Sequence, residues 1–123
     1  MYNHLPNVLA KNPDYILLHV STNDCMSKTS DEVLLDLTKI KQHIETLLPS
    51  CTLIISQPIV RADNNKAAQI VKNLNTKIKR SISGMKLDNS NIKVKHLGTK
   101  GLHLNGYGTR MMAGNIISLI RRL

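Results

Sequence analysis

Two uninterrupted apolar runs, YILLHV at Tyr15–Val20 and TLIIS at Thr52–Ser56, constrain this chain more than any other feature. A strand with one face in water alternates polar and apolar residues, whereas a strand covered on both faces reads as continuous apolar sequence. Both runs therefore predict strands buried between two layers. The first follows Asn12-Pro13-Asp14 and ends in the turn-forming Ser21-Thr22-Asn23-Asp24, and the second stops at Gln57-Pro58.

Between the runs, Val33, Leu37, Ile40, Ile44 and Leu47 recur at steps of four, three, four and three residues, the spacing of one helical face. Ser30 is placed to cap this helix, Asp31 and Glu32 put negative charge in its first turn, and Pro49 stops it. A second amphipathic helix follows TLIIS. Ala67, Ile70, Val71, Leu74, Ile78 and Ile82 share one face, Lys66, Lys72, Lys77, Lys79 and Arg80 take the other, and Gly84 ends it. IKVKH, Ile92–His96, alternates apolar and basic residues, which predicts a half-exposed edge strand whose lysines discourage stray pairing. A last helix begins near Asn105, its cap, and runs through Met112, Ile116, Leu119 and Ile120. The order helix, strand, helix, strand, helix, strand, helix implies right-handed crossovers and a parallel sheet with helices on both faces, a three-layer α/β/α arrangement. At 123 residues and 41% hydrophobic, the chain holds one such core, so residues 1–123 read as a single domain.

Composition narrows the function. Tyr2, Tyr15 and Tyr107 are the only aromatic residues, which argues against stacking on nucleobases. The start, MYNHLPNVLA, has no basic flank followed by an apolar run, and no segment approaches the length of a membrane span. A soluble, intracellular chain without a membrane partner is the expectation. Cys25 and Cys51 lack CxxC spacing and the five histidines show no HxH or HxxxH pairing, so neither a metal nor a cofactor is expected. Cys25 follows the end of one parallel strand and Cys51 precedes the start of another. Roughly 15 to 20 Å of strand separates them, and both are expected as reduced thiols.

Charge is unevenly placed. Residues 1–63 carry five Lys/Arg against seven Asp/Glu, a balance of −2, and residues 64–123 carry twelve against the single acid Asp88, a balance of +11. This asymmetry raises an alternative function, a basic accessory module that binds nucleic acid through its phosphates, next to the plainer reading of a solvated basic face.

In an open parallel sheet the functional loops lie beyond the carboxyl ends of the strands. Ser21–Cys25, Gln57–Arg61 and Leu97–Asn105 qualify, so Asn23 and His103 are expected to face one crevice although 80 residues separate them. On these loops, ILLHVSTND resembles the third sequence block of the SGNH (GDSL-type) hydrolases, GxND, and KGLHLNGYG before an apolar helix resembles their fifth, DxxH. With PDYILLHVSTND, IISQPIVR and GLHLNGYGTRMMAGNII in order, the resemblance spans nearly the whole chain. It is closest to the esterase-like domains of some animal retrotransposons.

The resemblance implies a flavodoxin-like SGNH fold and a serine esterase acting on acyl esters. Asn23 matches the oxyanion-hole asparagine, a contact of the kind worth roughly 3 to 4 kcal/mol. His103 matches the general base that takes the serine proton. Asp24 is read as organising its turn, and Arg61 as a candidate contact for an anionic substrate.

The departures are equally specific. The family's nucleophile lies in a GDS-type block on its first strand and an oxyanion glycine follows its second; neither has a counterpart in this sequence. Lys100 stands where an acid normally orients the histidine, and a cation there disfavours the imidazolium formed during catalysis. Ser21 replaces the first glycine of GxND, but no strained nucleophile elbow surrounds it. The chain is therefore expected to be N-terminally incomplete, a pseudoenzyme inactive on its own. It would hold only the last three strands of the family's 2-1-3-4-5 sheet. YILLHV then becomes an unguarded apolar edge, and the chain is expected to dimerise through Tyr15–Val20, to aggregate or to be only marginally stable.

Overall fold

The computed structural model describes residues 7, 10–19 and 24–123. Val20, Ser21, Thr22 and Asn23 lie outside them. Three parallel strands, β1 (Tyr15–Leu18), β2 (Thr52–Ser56) and β3 (Lys86–Leu87), form a sheet in the order β1-β2-β3. Tyr15 pairs with Thr52 and Leu18 with Ile55, while Ile55 pairs with Lys86 and Ser56 with Leu87. Helices α1 (Ser30–Leu47), α2 (Asn65–Ser81) and α3 (Gly106–Arg121) supply the outer layers.

The period of two along each strand sends successive side chains to opposite layers. Ile16, Leu18, Leu53 and Ile55 meet the apolar stripes of α1 and α2, where Leu37, Ile40, Ile44, Leu74 and Ile78 are at most 2% exposed. Leu17, Ile54 and Leu87 face the other way, onto Met112, Ile116 and Leu119 of α3. Both faces of the sheet are thus lined by apolar side chains, with polar residues in β2 only at its ends, Thr52 and Ser56; β1 is half-buried and its Tyr15 exposed. Each fully buried Leu or Ile contributes about 1.5 to 3 kcal/mol of transfer free energy.

Two helix starts follow from side-chain caps. Asn64 accepts from the Ala67 N–H at 2.9 Å, and Asn105 accepts from the Gly108 N–H at 2.9 Å, as expected. For α1 the cap is Thr29, one residue before the expected Ser30. Thr29 Oγ1 accepts the Glu32 N–H and Glu32 Oε1 accepts the Thr29 N–H, both at 3.2 Å, so two orphan groups are satisfied reciprocally. Helix α2 ends at Ser81, before Gly84, whose φ of 98° instead turns the chain toward β3.

The third strand corrects the sequence reading. IKVKH is not a strand: Val94–His96 form a 3-10 turn, and the sheet is completed by Lys86–Leu87. The Gln57 N–H donates to the Leu87 carbonyl at 3.0 Å, and Asp88 Oδ1 then accepts the Ser90 N–H, turning the chain out of the sheet. The Lys93 N–H goes to His96 Nδ1 at 2.8 Å, so it serves a turn and no ladder. Ile92 is 2% exposed, in a cluster with Ile59 and Leu97, whereas Val94 is 53% exposed. The alternation of IKVKH thus reflects one anchoring side chain, and its lysines guard no edge. Strand β1 lies at one edge of the described sheet.

Candidate active site

The segment KGLHLNGYG folds into a tight loop and the first turn of α3. Leu97 and Leu104 form an antiparallel bridge, the Gly98 N–H donates to the His103 carbonyl at 2.7 Å, and the Gly101 N–H donates to the Gly98 carbonyl at 2.9 Å. Asn105 Nδ2 donates to the carbonyls of Lys95 and Leu97, so the side chain that caps α3 also ties down the segment before the loop. Two glycines are required by close approach. Gly101 has φ 69° and would place a Cβ 3.0 Å from the Ala62 carbonyl carbon, and a Cβ on Gly108 would sit 2.2 Å from the His96 carbonyl oxygen. His103 is thereby carried on a braced loop with its side chain exposed to solvent.

This loop docks on the segment after β2. The Ala62 N–H donates to the Gly101 carbonyl at 2.7 Å, joining residues that 39 positions separate in sequence. On either side of Ala62, Arg61 and Asp63 form a two-pronged pair, Nε to Oδ1 and Nη2 to Oδ2, each 2.7 Å. Sequence reasoning places Arg61 as a contact for an anionic substrate; in the structure its side chain is 2% exposed and engaged by Asp63. Those hydrogen bonds hold the Asp63 carboxyl below the usual carboxylate range, with a smaller contribution from the field of His103. Arg61 also acts on buried Cys25, partly offsetting the burial that pushes the thiol up. Arg61 and Asp63 thus lie between the loop that follows β1 and the loop that carries His103.

Asn23, the expected oxyanion donor, lies outside the described residues. The chain resumes at Asp24, which opens a 3-10 turn through Met26 and accepts the N–H groups of Ser27 and Lys28 on its carbonyl. Cys25 is buried and Cys51 half-buried, and burial pushes both thiols up. Lys100 is exposed, and Asp63, which the sequence reading passed over, is a carboxylate within electrostatic reach of His103. A pairwise signal existed in the spacing Arg-x-Asp after a strand, but nothing local tied it to a histidine 40 positions away.

A second polar assembly was also hidden inside apolar sequence. At the carboxyl ends of the strands, His19 Nδ1 and Ser56 Oγ are 2.7 Å apart, and Asn89 Nδ2 donates to Ser56 Oγ at 2.9 Å and to the Gln57 carbonyl at 2.8 Å. Asn115 of α3 donates to Asn89 Oδ1 at 3.1 Å. Ser56 and Asn89 are 2% and 3% exposed, so these bonds satisfy groups that burial would otherwise penalise. Desolvation holds the His19 pKa below 6.5.

No family model matches the chain, and no curated protein matches it. Solved structures do. A carbohydrate esterase family 3 protein from Talaromyces cellulolyticus superposes with a TM-score of 0.77 at 19% identity, covering 94% of this chain and 63% of its own. A serine-to-alanine mutant of an acetyl esterase, solved with acetate ion, gives 0.76 at 18% identity, covering 98% of this chain and 68% of its own. The chain therefore spans about two thirds of the length of either esterase, and its α/β architecture is the fold of both.

Proposed function

We propose that this chain is the base-bearing portion of an SGNH-type hydrolase of acyl esters, with His103 as general base and Asn23 as oxyanion donor, and that it turns over no ester by itself. The observation that carries the reading is the backbone docking of the His103 loop onto the segment after β2, at the carboxyl end of a sheet shared with esterases. The resemblance of the STND and GLHLNGYG blocks to those of SGNH-type esterases supports it from sequence.

In the complete reaction a serine oxygen adds to the ester carbonyl carbon while its proton passes to His103. The Asn23 amide donates to the resulting oxyanion, and His103 returns the proton to the departing alkoxide. Water then repeats the sequence on the acyl-enzyme. Asp63 supplies the negative charge beside the imidazolium that Lys100 cannot, and Arg61 holds that carboxylate in place.

The test uses nitrophenyl acetate. The chain alone is expected to hydrolyse it at the buffer rate. Fusing a serine-bearing segment of about 40 to 60 residues, two βα units, ahead of Met1 is expected to yield turnover. That turnover should be lost in His103→Ala and fall about 10²- to 10³-fold in Asn23→Ala. A folded fusion whose turnover is indifferent to His103, or clear His103-dependent turnover by the chain alone, overturns the proposal.

A further inference from the structure

Away from the His103 loop, a cavity of about 540 Å³ opens between the segment after β2, helix α2 and the segment after β3. Pro58, Val60, Ile92 and Val94 give it apolar walls, and Lys79, Lys93 and Lys95 stand around it. Its size lies within the range of small-molecule sites, about 300 to 1,000 Å³.

Two features mark it as more than a gap between loops. Among the described residues none of the three lysines is in an ion pair, whereas Lys77, on the same helix, is spent on Ser30 and Asp31. No carboxylate is among the described residues that line the cavity; Asp88, beside it in sequence, is held below the usual range by the Ser90 hydroxyl and N–H, with smaller help from Lys79 and Lys93. The second feature is Asn75 in the cavity wall. Its Nδ2 donates to the Pro58 carbonyl at 2.9 Å, which fixes the amide, and its buried Oδ1 has no hydrogen-bond partner among the described residues. A buried acceptor left unmade costs about 1 to 3 kcal/mol. That oxygen is closed to solvent, so the amide braces the cavity wall and is not offered to an occupant.

The cavity does not end at Asn75. A neighbouring hollow of about 330 Å³ shares Val60 and Asn75 and reaches Lys72. Lys72, Asn75 and Lys79 are spaced by three and four residues, so they line one stripe of α2 over about 10 Å. Separated cations along an apolar trough suit a multiply charged anion. A phosphate ester carries −1 to −2 and three acceptor oxygens and can meet several lysines, where a single carboxylate meets fewer.

From this geometry we infer a binding site for phosphate esters in the trough between α2 and the segments after β2 and β3, taking a nucleotide unit, free or within a strand. Lys79, Lys93 and Lys95 hold the phosphate, and the apolar walls receive the ring. This site is independent of the esterase reading and needs neither His103 nor a serine.

The test is calorimetric titration of the full 123-residue chain at low salt with adenosine 5′-monophosphate, with adenosine, and with a short single-stranded oligodeoxyadenylate. The monophosphate or the oligonucleotide is expected to bind and adenosine to bind far more weakly. Tighter binding of the oligonucleotide, falling steeply with salt, assigns the site to a strand; binding of the monophosphate alone assigns it to a free nucleotide. Each charge-assisted contact removed should cost roughly tenfold in affinity, so Lys93→Ala/Lys95→Ala should weaken binding at least that much. Lys79→Ala gives an independent reading from the helix side, and Lys39→Ala on α1 should change nothing. Absence of binding by both phosphate-bearing probes overturns the inference. So does binding indifferent to the cavity lysines, or adenosine binding equal to that of the monophosphate.

Discussion

Arg61 and Asp63 meet through two parallel N–H···O bonds of 2.7 Å, one partner almost wholly buried and the other at the surface beside the His103 loop. Because the guanidinium is planar and cannot shed its charge, the fork fixes direction as well as distance. This pair and the backbone bond from Ala62 to Gly101 orient the part of the segment between β2 and α2 that faces the His103 loop.

Removing the carboxylate should destabilise the fold in a pH-dependent way. The folded-state pKa of Asp63 lies below its ordinary 3.8, so its stabilisation is present above that value and is lost as pH falls through the folded pKa. Asp63→Asn is expected to lower the urea midpoint at neutral pH without changing the slope, and to match the parent protein in strong acid. An equal deficit at every pH would mean that packing, and not the pair, carries the effect.

His19 should leave a signature one step higher on the pH scale. Desolvation lowers its folded pKa below 6.5, so the unfolded chain binds the proton more readily. Stability is expected to be full above 6.5 and to decline as pH falls through the folded pKa. His19→Asn should flatten that decline between about pH 7 and 5 in thermal melts. The neutral ring can accept the Ser56 hydroxyl proton while Ser56 accepts from Asn89, an arrangement that protonation of Nδ1 breaks.

The glycines of the His103 block separate by what surrounds them. Gly108→Ala places a methyl group on the His96 carbonyl and should cost about 1 to 3 kcal/mol, read as a lower melting midpoint. Gly114→Ala, in the same helix with nothing within 4 Å of the added carbon, should instead stabilise by about 0.5 to 1 kcal/mol. Equal effects at the two positions would contradict the close approach of α3 to His96.

The β1 edge is expected to drive self-association. Tyr15 is 47% exposed at that edge, and an apolar strand with unpaired backbone groups offers a template for a second chain. Light scattering after size exclusion should find a concentration-dependent dimer or larger species. Tyr15→Lys should shift it toward monomer, and a monomer at all concentrations for the parent chain would refute the expectation.

The sequence by itself determined the layers. YILLHV and TLIIS announced strands between two layers, because continuous apolar residues leave no side for water, and the stripes of α1 and α2 had to face them; β2 is buried as that reading requires, whereas β1, Tyr15–Leu18, is only half-buried and its Tyr15 is exposed. Asn105 declared a helix start because its short side chain can reach an N–H three residues on. Tertiary structure alone decided the third strand and the polar contacts. A two-residue strand such as Lys86–Leu87 has no periodicity to read, and it exists because the Ile55 N–H donates to the Met85 carbonyl and the Gln57 N–H to that of Leu87. IKVKH had the right alternation, yet nothing in that pattern revealed that Ile92 would anchor a loop while Val94 met solvent. His19 with Ser56, and Ala62 with Gly101, are separated by 37 and 39 residues. They meet because parallel crossovers return each strand in the same direction, so loops distant in sequence gather at one end of the sheet.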